Sequence, residues 1–246
     1  MKLEVHGIII KEKDLNECDK VITILTAEKG VITVIAKHSK TYRNRLGGMM
    51  QLLTYAAYVL YEGKYGYILN SIEVKETFSK LRNNIKDLSL AQYFCELSLL
   101  LRPEESVSEE ILRVFLNCLF YLSHKKMDCI LLKSIFELKV CSLCGYMPEL
   151  ISCNKCKTYE SDTMNFLIKQ GKLFCKNCTS NDEDFCITLN PTLLTALRHI
   201  VYSPLENLFK FSVLSETAKS LNLITEKYVR YHVSEKFKSL EFFYLF

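Results

Sequence analysis

Two pairs of cysteines, Cys153 with Cys156 and Cys175 with Cys178, stand with 18 residues between them. Thiolates at this spacing form the donor set of a zinc ribbon, each pair giving two sulfurs to one tetrahedron. The segment that follows the first pair, Lys157 to Asn165, is too polar to fold on buried surface alone. Zinc contributes on the order of 10–16 kcal/mol to such a unit and covers that shortfall. Disulfide pairing is the other use of the same residues. Four thiolates leave no open position for water, so the chemistry expected here is structural and not catalytic.

A third pair, Cys141 and Cys144, has the same internal spacing. Leu131, Ile135, Leu138 and Cys141 fall on one face of an amphipathic helix, and Gly145 with Pro148 beyond it predicts the helix end. That pattern reads Cys141 and Cys144 as small apolar residues of a helix terminus. The rival assignment joins them to Cys153 and Cys156 and leaves Cys175 and Cys178 free. Cys18, Cys95, Cys118, Cys129 and Cys186 have no ligand spacing.

The chain has 246 residues, enough for one large or two modest domains with a substantial core. A formal charge of +4 is mildly basic, so distribution matters more than total. The odd total of 11 cysteines, gathered in knuckles, predicts a reducing compartment. The first residues lack the apolar core of a secretory signal, and no run reaches the ~18 apolar residues needed to span a bilayer. A cytosolic protein with no membrane role is the expectation.

Five β-rich stretches lie in residues 1–77: Leu3–Ile10, Val21–Thr26, Val31–Ala36, Gln51–Tyr61 and Tyr65–Val74. Five strands with a long third connection suit a small closed barrel, either an OB-fold or a barrel of the SH3 kind. From about residue 78 the period becomes helical. Leu90, Phe94, Leu97 and Leu101 form a stripe ended by Pro103, and Ser106 with Glu109 reads as a capping box opening the next helix. Asn190 and Pro191 open a further helix, and Ser215 to about Leu240 reads as helical with a break near Asn222. The domains expected are a barrel over 1–77, a helical domain over 78–149 and 181–246, and a zinc-binding insertion over 150–180.

Enzyme signatures such as Gly-x-Gly-x-x-Gly, a P-loop or His-Glu-x-x-His are absent from the sequence, and the five histidines stand far apart. Paired carboxylates such as Glu104 with Glu105 sit at helix starts, where they favour the helix dipole. What stands out is a basic loop after the third strand. Lys37, Lys40, Arg43 and Arg45 carry four permanent charges in nine residues, with no acid between Glu28 and Glu62. Tyr42, Tyr55, Tyr58, Tyr65 and Tyr67 lie on the neighbouring strands and loop. Cations for phosphates beside rings for bases are what sequence-tolerant single-strand binding requires. A solvated loop beside core tyrosines is the plainer reading. Near the C-terminus Val229, Val233, Phe237 and Leu240 form a stripe that sends Lys227, Arg230 and Lys238 outward.

Taken together, the chain resembles the RecO family of bacterial recombination mediators over nearly its full length. The resemblance is carried by Leu15 to Lys20 with Thr26 and Gly30, by Ala36 through Arg45 and Leu46, by Phe136 to Lys139 leading through Gly145 and Pro148 to Cys156, and by Gly171 to Cys178. His38 stands where the family usually has glycine, Asn44 where it has serine, and Lys157 where glycine commonly follows the second cysteine. The resemblance implies an α+β protein: a five-stranded OB-fold barrel, then a helical domain with an embedded four-cysteine zinc ribbon. It implies a bacterial, cytoplasmic, nucleoid-associated DNA-repair factor that is not an enzyme and holds one structural zinc on Cys153, Cys156, Cys175 and Cys178. Such proteins bind single- and double-stranded DNA, anneal complementary strands and help load RecA onto strands coated by single-strand binding protein. Their partners are RecR and the tail of that protein. DNA contact is carried onto Lys37, Lys40, Arg43 and Arg45, and onto Lys227 and Arg230. The competing classes are a zinc-ribbon interaction scaffold and a zinc-supported nuclease with an unrecognised site.

Overall fold

The β-branched runs of the first third close on themselves. In the computed structural model, which describes residues 2–39, 46–63, 66–179, 186–233 and 236–246, β1 (Lys2–Asp14), β2 (Lys20–Thr26), β3 (Val31–Ala36), β4 (Tyr55–Gly63) and β5 (Gly66–Glu76) form a closed barrel. Its order is β1-β2-β3-β5-β4, with β1 returning to β4 and β3 running parallel to β5. This is the OB-fold order and decides the topology between the two barrels that the sequence allows. A single long strand, β1, serves two neighbours: Lys2–Ile8 pair with β4 and Gly7–Asp14 with β2. A bulge between Ile9 and Lys11 makes the bend between these two pairings. Gly7 lies at the overlap, where a Cβ would come within 2.6 Å of the Leu25 carbonyl oxygen.

Alternation puts Val5, Ile9, Ile22, Ile24, Val34, Ala56, Tyr58 and Leu60 inside the barrel. Burying each larger aliphatic chain contributes roughly 1.5–3 kcal/mol, so the barrel stands on apolar surface. A four-residue helix, α1 (Leu46–Met49), follows the basic loop.

The chain divides into two compact units: residues 1–125 with 237–246, and residues 126–236. In the first unit a 3-10 turn (Ser79–Asn83) leads to α2 (Ile85–Leu101), capped by Asn84, whose side chain accepts the Asp87 N–H. Next comes α3 (Glu105–Ser123). The capping box expected at Ser106 is not formed: the helix already starts at Glu105, and its N-cap, Glu104, gives no side-chain cap. Contacts with the barrel are made instead at this helix start. Ser108 donates its hydroxyl proton to the Thr26 carbonyl, and Lys29 pairs with Glu105 at 3.1 Å. Gly30 (φ 63°) sits so close beneath Pro103 that a Cβ would lie 2.5 Å from its carbonyl oxygen. At the chain's end α8 (Lys238–Phe243) lies on α2, with Phe237 edge-on to Tyr93 at 5.0 Å and Ser239 bonded to Glu96.

The second unit holds α4 (Cys129–Leu143), a three-stranded sheet of order β7-β6-β8, and α5 (Pro191–Tyr202), α6 (Leu205–Leu208) and α7 (Ser215–Val233). The strands are β6 (Met164–Leu167), β7 (Lys172–Cys175) and β8 (Cys186–Leu189). β8, beyond the bound expected for the insertion, pairs with β6 and so belongs to its sheet. α4 is buried all round and not on one stripe, because its charged residues find buried partners. Lys133, fully buried, lies 2.8 Å from both Glu137 and Asn222 and 3.2 Å from Glu226. Thr225 completes the set by donating to Glu137 at 2.6 Å. The break expected near Asn222 is absent, since α7 runs through it and its amide oxygen accepts from Lys133. The helix ends at Val233, so Phe237 and Leu240 do not continue the stripe of Val229.

Candidate functional site

The four-cysteine cluster is built from two turns and the strand that joins them. In the first, the Lys157 N–H bonds back to the Cys153 carbonyl at 2.9 Å; in the second, the Cys178 N–H bonds to the Cys175 carbonyl at 2.9 Å. The Cys153 N–H donates to Thr158 and the Asn154 N–H to Leu173 of β7, which fastens the first turn to the strand delivering the second. The sulfurs of Cys153, Cys156, Cys175 and Cys178 all lie within 4.8 Å of one another, with Cys156 and Cys175 3.6 Å apart. Zinc–sulfur bonds of about 2.3 Å give a tetrahedron with edges of about 3.8 Å. The donor set therefore fits a tetrahedral thiolate-bound metal, while a disulfide needs sulfurs about 2.05 Å apart.

Lys157 takes the left-handed conformation (φ 62°), which favours glycine. The turn keeps its shape at the expense of strain in an L-residue. The Thr158 hydroxyl, 3.2 Å from Cys156, and its N–H pull the Cys156 thiol down to about 6, whereas hydrogen bonds among the neighbouring thiols push Cys178 up to about 12.

Cys141 and Cys144 stand outside the cluster. The Tyr146 N–H bonds to the Cys141 carbonyl and the Gly145 N–H to Ser142, with Gly145 at φ 94°: a Schellman cap on α4. Cys141 is fully buried and its thiol is pushed up by desolvation. The rival ligand set is thereby set aside.

Two residues of α5 that the sequence does not advertise hold the first turn in place. Arg198 donates to the carbonyls of Leu150, Ile151 and Tyr159 at 2.7–2.8 Å and lies 4.2 Å above the Tyr159 ring. Tyr202 donates its hydroxyl to Pro148 and accepts the Leu150 N–H. Their partners are 39–54 residues away, so no local pattern could have revealed them.

The root of the basic loop is equally defined. Asn16 accepts the N–H groups of Cys18 and Asp19, and Asp19 accepts the His38 N–H at 2.7 Å. The Asn16 amide and that N–H hold the Asp19 carboxyl below the usual carboxylate range. His38 is left-handed (φ 53°), a conformation that glycine adopts more readily. Lys37 projects exposed from this turn; Lys40, Arg43 and Arg45, with Tyr42 and Tyr65, lie outside the described residues. Tyr58 is a core residue with no exposed surface, its hydroxyl on the Thr54 carbonyl, and Tyr67 lies on the same core. Tyr58 is needed inside the barrel and offers no stacking face, while Tyr55 and Tyr67 are half-buried. In the second unit Lys227 and Arg230 are exposed on α7, but Arg230 pairs with Glu226 at 2.8 Å.

Architecture and site together define a class: an OB-barrel protein extended by helices that carry a four-cysteine, metal-competent cluster. Residues 1–78 match the family described as Recombination protein O N terminal, and residues 82–241 match Recombination protein O C terminal. The chain belongs to the RecO family. Among its relatives, the DNA repair protein RecO of Acetivibrio thermocellus is 31% identical over 240 residues, covering 98% of this chain and 95% of the relative. DNA repair protein RecO of Alkaliphilus metalliredigens is 28% identical, with 98% of each chain covered. That of Caldicellulosiruptor bescii is 28% identical, covering 99% of this chain and 98% of the relative. No helix among the described residues is long and apolar enough to cross a membrane.

Proposed function

We propose that this protein is a DNA-binding recombination mediator. It anneals complementary single strands and helps load RecA onto strands coated by single-strand binding protein, working with RecR and with the tail of that coating protein, in the bacterial cytoplasm at the nucleoid. The observation that carries the reading is an OB barrel of the RecO family whose third strand is followed in the sequence by four cations, with no acid from Lys29 to Tyr61. Lys37, Lys40, Arg43 and Arg45 are its phosphate contacts. Lys227 and Arg230 form a secondary surface, in which Lys227 counts for more because Arg230 is already engaged by Glu226.

Annealing needs no catalytic acid or base: cations lower the repulsion between two phosphate backbones, and base pairing does the rest. One zinc on Cys153, Cys156, Cys175 and Cys178 is structural, since four thiolates complete its tetrahedron. The protein therefore acts without bond cleavage. Strand annealing measured with and without single-strand binding protein tests the reading. Acceleration is expected in both cases; no acceleration on bare complementary strands contradicts it.

A further inference from the structure

A hollow of about 350 Å³ opens in the first unit, where the end of β5 and the 3-10 turn meet the last turn of α3. Glu76, Phe78, Ser79, Lys80, Phe120 and His124 line it. Its size is at the small end for ligand sites and gives room for a single flat ring system. One wall is aromatic. Phe120 is 40% exposed, and its ring leans on the His124 imidazole at 4.5 Å with a tilt of 37°. Phe78 is the buried floor, held at φ 48° while the Glu76 carboxylate accepts the N–H groups of Thr77 and Phe78, each at 2.9 Å. Lys80 is exposed at the rim and forms no ion pair among the described residues.

These charges select the occupant. A carboxylate in the wall opposes an anion inside the hollow, which disfavours a phosphate or an acidic peptide. A cation at the rim suits an anion just outside. A neutral ring that trails a phosphate meets both conditions, and the aromatic wall supplies a stacking face. We propose that the hollow receives one unstacked base of a single DNA strand, its face on Phe120 and its phosphate beside Lys80. The inference rests on the DNA-binding reading above and adds a base subsite that the basic loop does not contain.

The test uses the intact, zinc-loaded chain with single-stranded oligonucleotides carrying 5-iododeoxyuridine at single positions, ultraviolet irradiation and peptide mapping. Adducts are expected on Phe120 or His124. Phe120→Ala should weaken binding of a mixed-sequence strand by roughly five- to a hundredfold, the range for one lost base stack. Its salt dependence should be unchanged because no charge is removed, and Phe120→Trp should restore affinity. Lys80→Gln should instead lower the log–log salt slope by about 0.7. Thermal unfolding of each variant checks that the fold persists. Adducts only elsewhere, with Phe120→Ala binding like the wild type, would overturn the subsite. So would protection of residues 120–124 by an aromatic-ended peptide and not by DNA. Failure of the wild type to bind any strand would instead defeat the DNA-binding reading itself.

Discussion

The barrel and the cysteine cluster solve the same problem by opposite means. The barrel closes on alternating Val, Ile and Leu side chains that leave water in a continuous core. Around the cluster, Lys155, Cys156, Lys157, Thr158, Tyr159 and Glu160 are all exposed, and the structure offers in place of a core four sulfurs gathered within 4.8 Å, the Arg198 bonds and the Tyr202 hydroxyl. One region is therefore expected to be indifferent to metal, and the other to depend on it.

The largest effect should come from breaking the second region. Cys175→Ser, or a strong chelator, removes on the order of 10 kcal/mol of metal binding. Hydrogen exchange should then lose protection over residues 148–189 while the barrel strands keep theirs. Equal loss in both would erase the contrast. The reverse lesion is Gly30→Ala. A left-handed φ and a carbonyl oxygen 2.5 Å from the new Cβ should together cost about 3 kcal/mol, read as a lower unfolding midpoint with zinc still at one per chain. A midpoint within error of the wild type contradicts the tight approach of Pro103. A smaller change sharpens the comparison. Lys157→Gly relieves a strained φ worth about 1 kcal/mol, so zinc should resist chelation roughly fivefold better. Unchanged resistance would mean that the turn carries no strain.

How legible these two regions are in the sequence follows from the range of the forces. The barrel strands and the ligand set are local signals: alternation needs five residues, and each Cys-x-x-Cys needs four. The α4 terminus was also readable, since Gly145 announces a Schellman cap. Long-range partners are where the pattern misleads. Ser106 looks like a cap, but the helix start is set by Ser108 bonding to Thr26, 82 residues away. Asn222 looks like a break, but it answers a buried lysine 89 residues earlier. Tyr58 looks available for stacking because its strand is β-rich; only the closed barrel shows that its face points inward. Arg198, with every partner in a distant turn, left no trace in its own neighbourhood.

The claim on which the account turns is that the cations following β3 in the sequence grip phosphates. Equilibrium binding of single-stranded DNA across a salt series, for the wild type and for Lys40→Glu with Arg43→Glu, tests it most directly. Four phosphate contacts at about 0.7 ions each predict a log–log slope near −3 for the wild type, falling to about half in the double variant, at the same zinc content. A flat titration, or the same slope and affinity in both proteins, would contradict it.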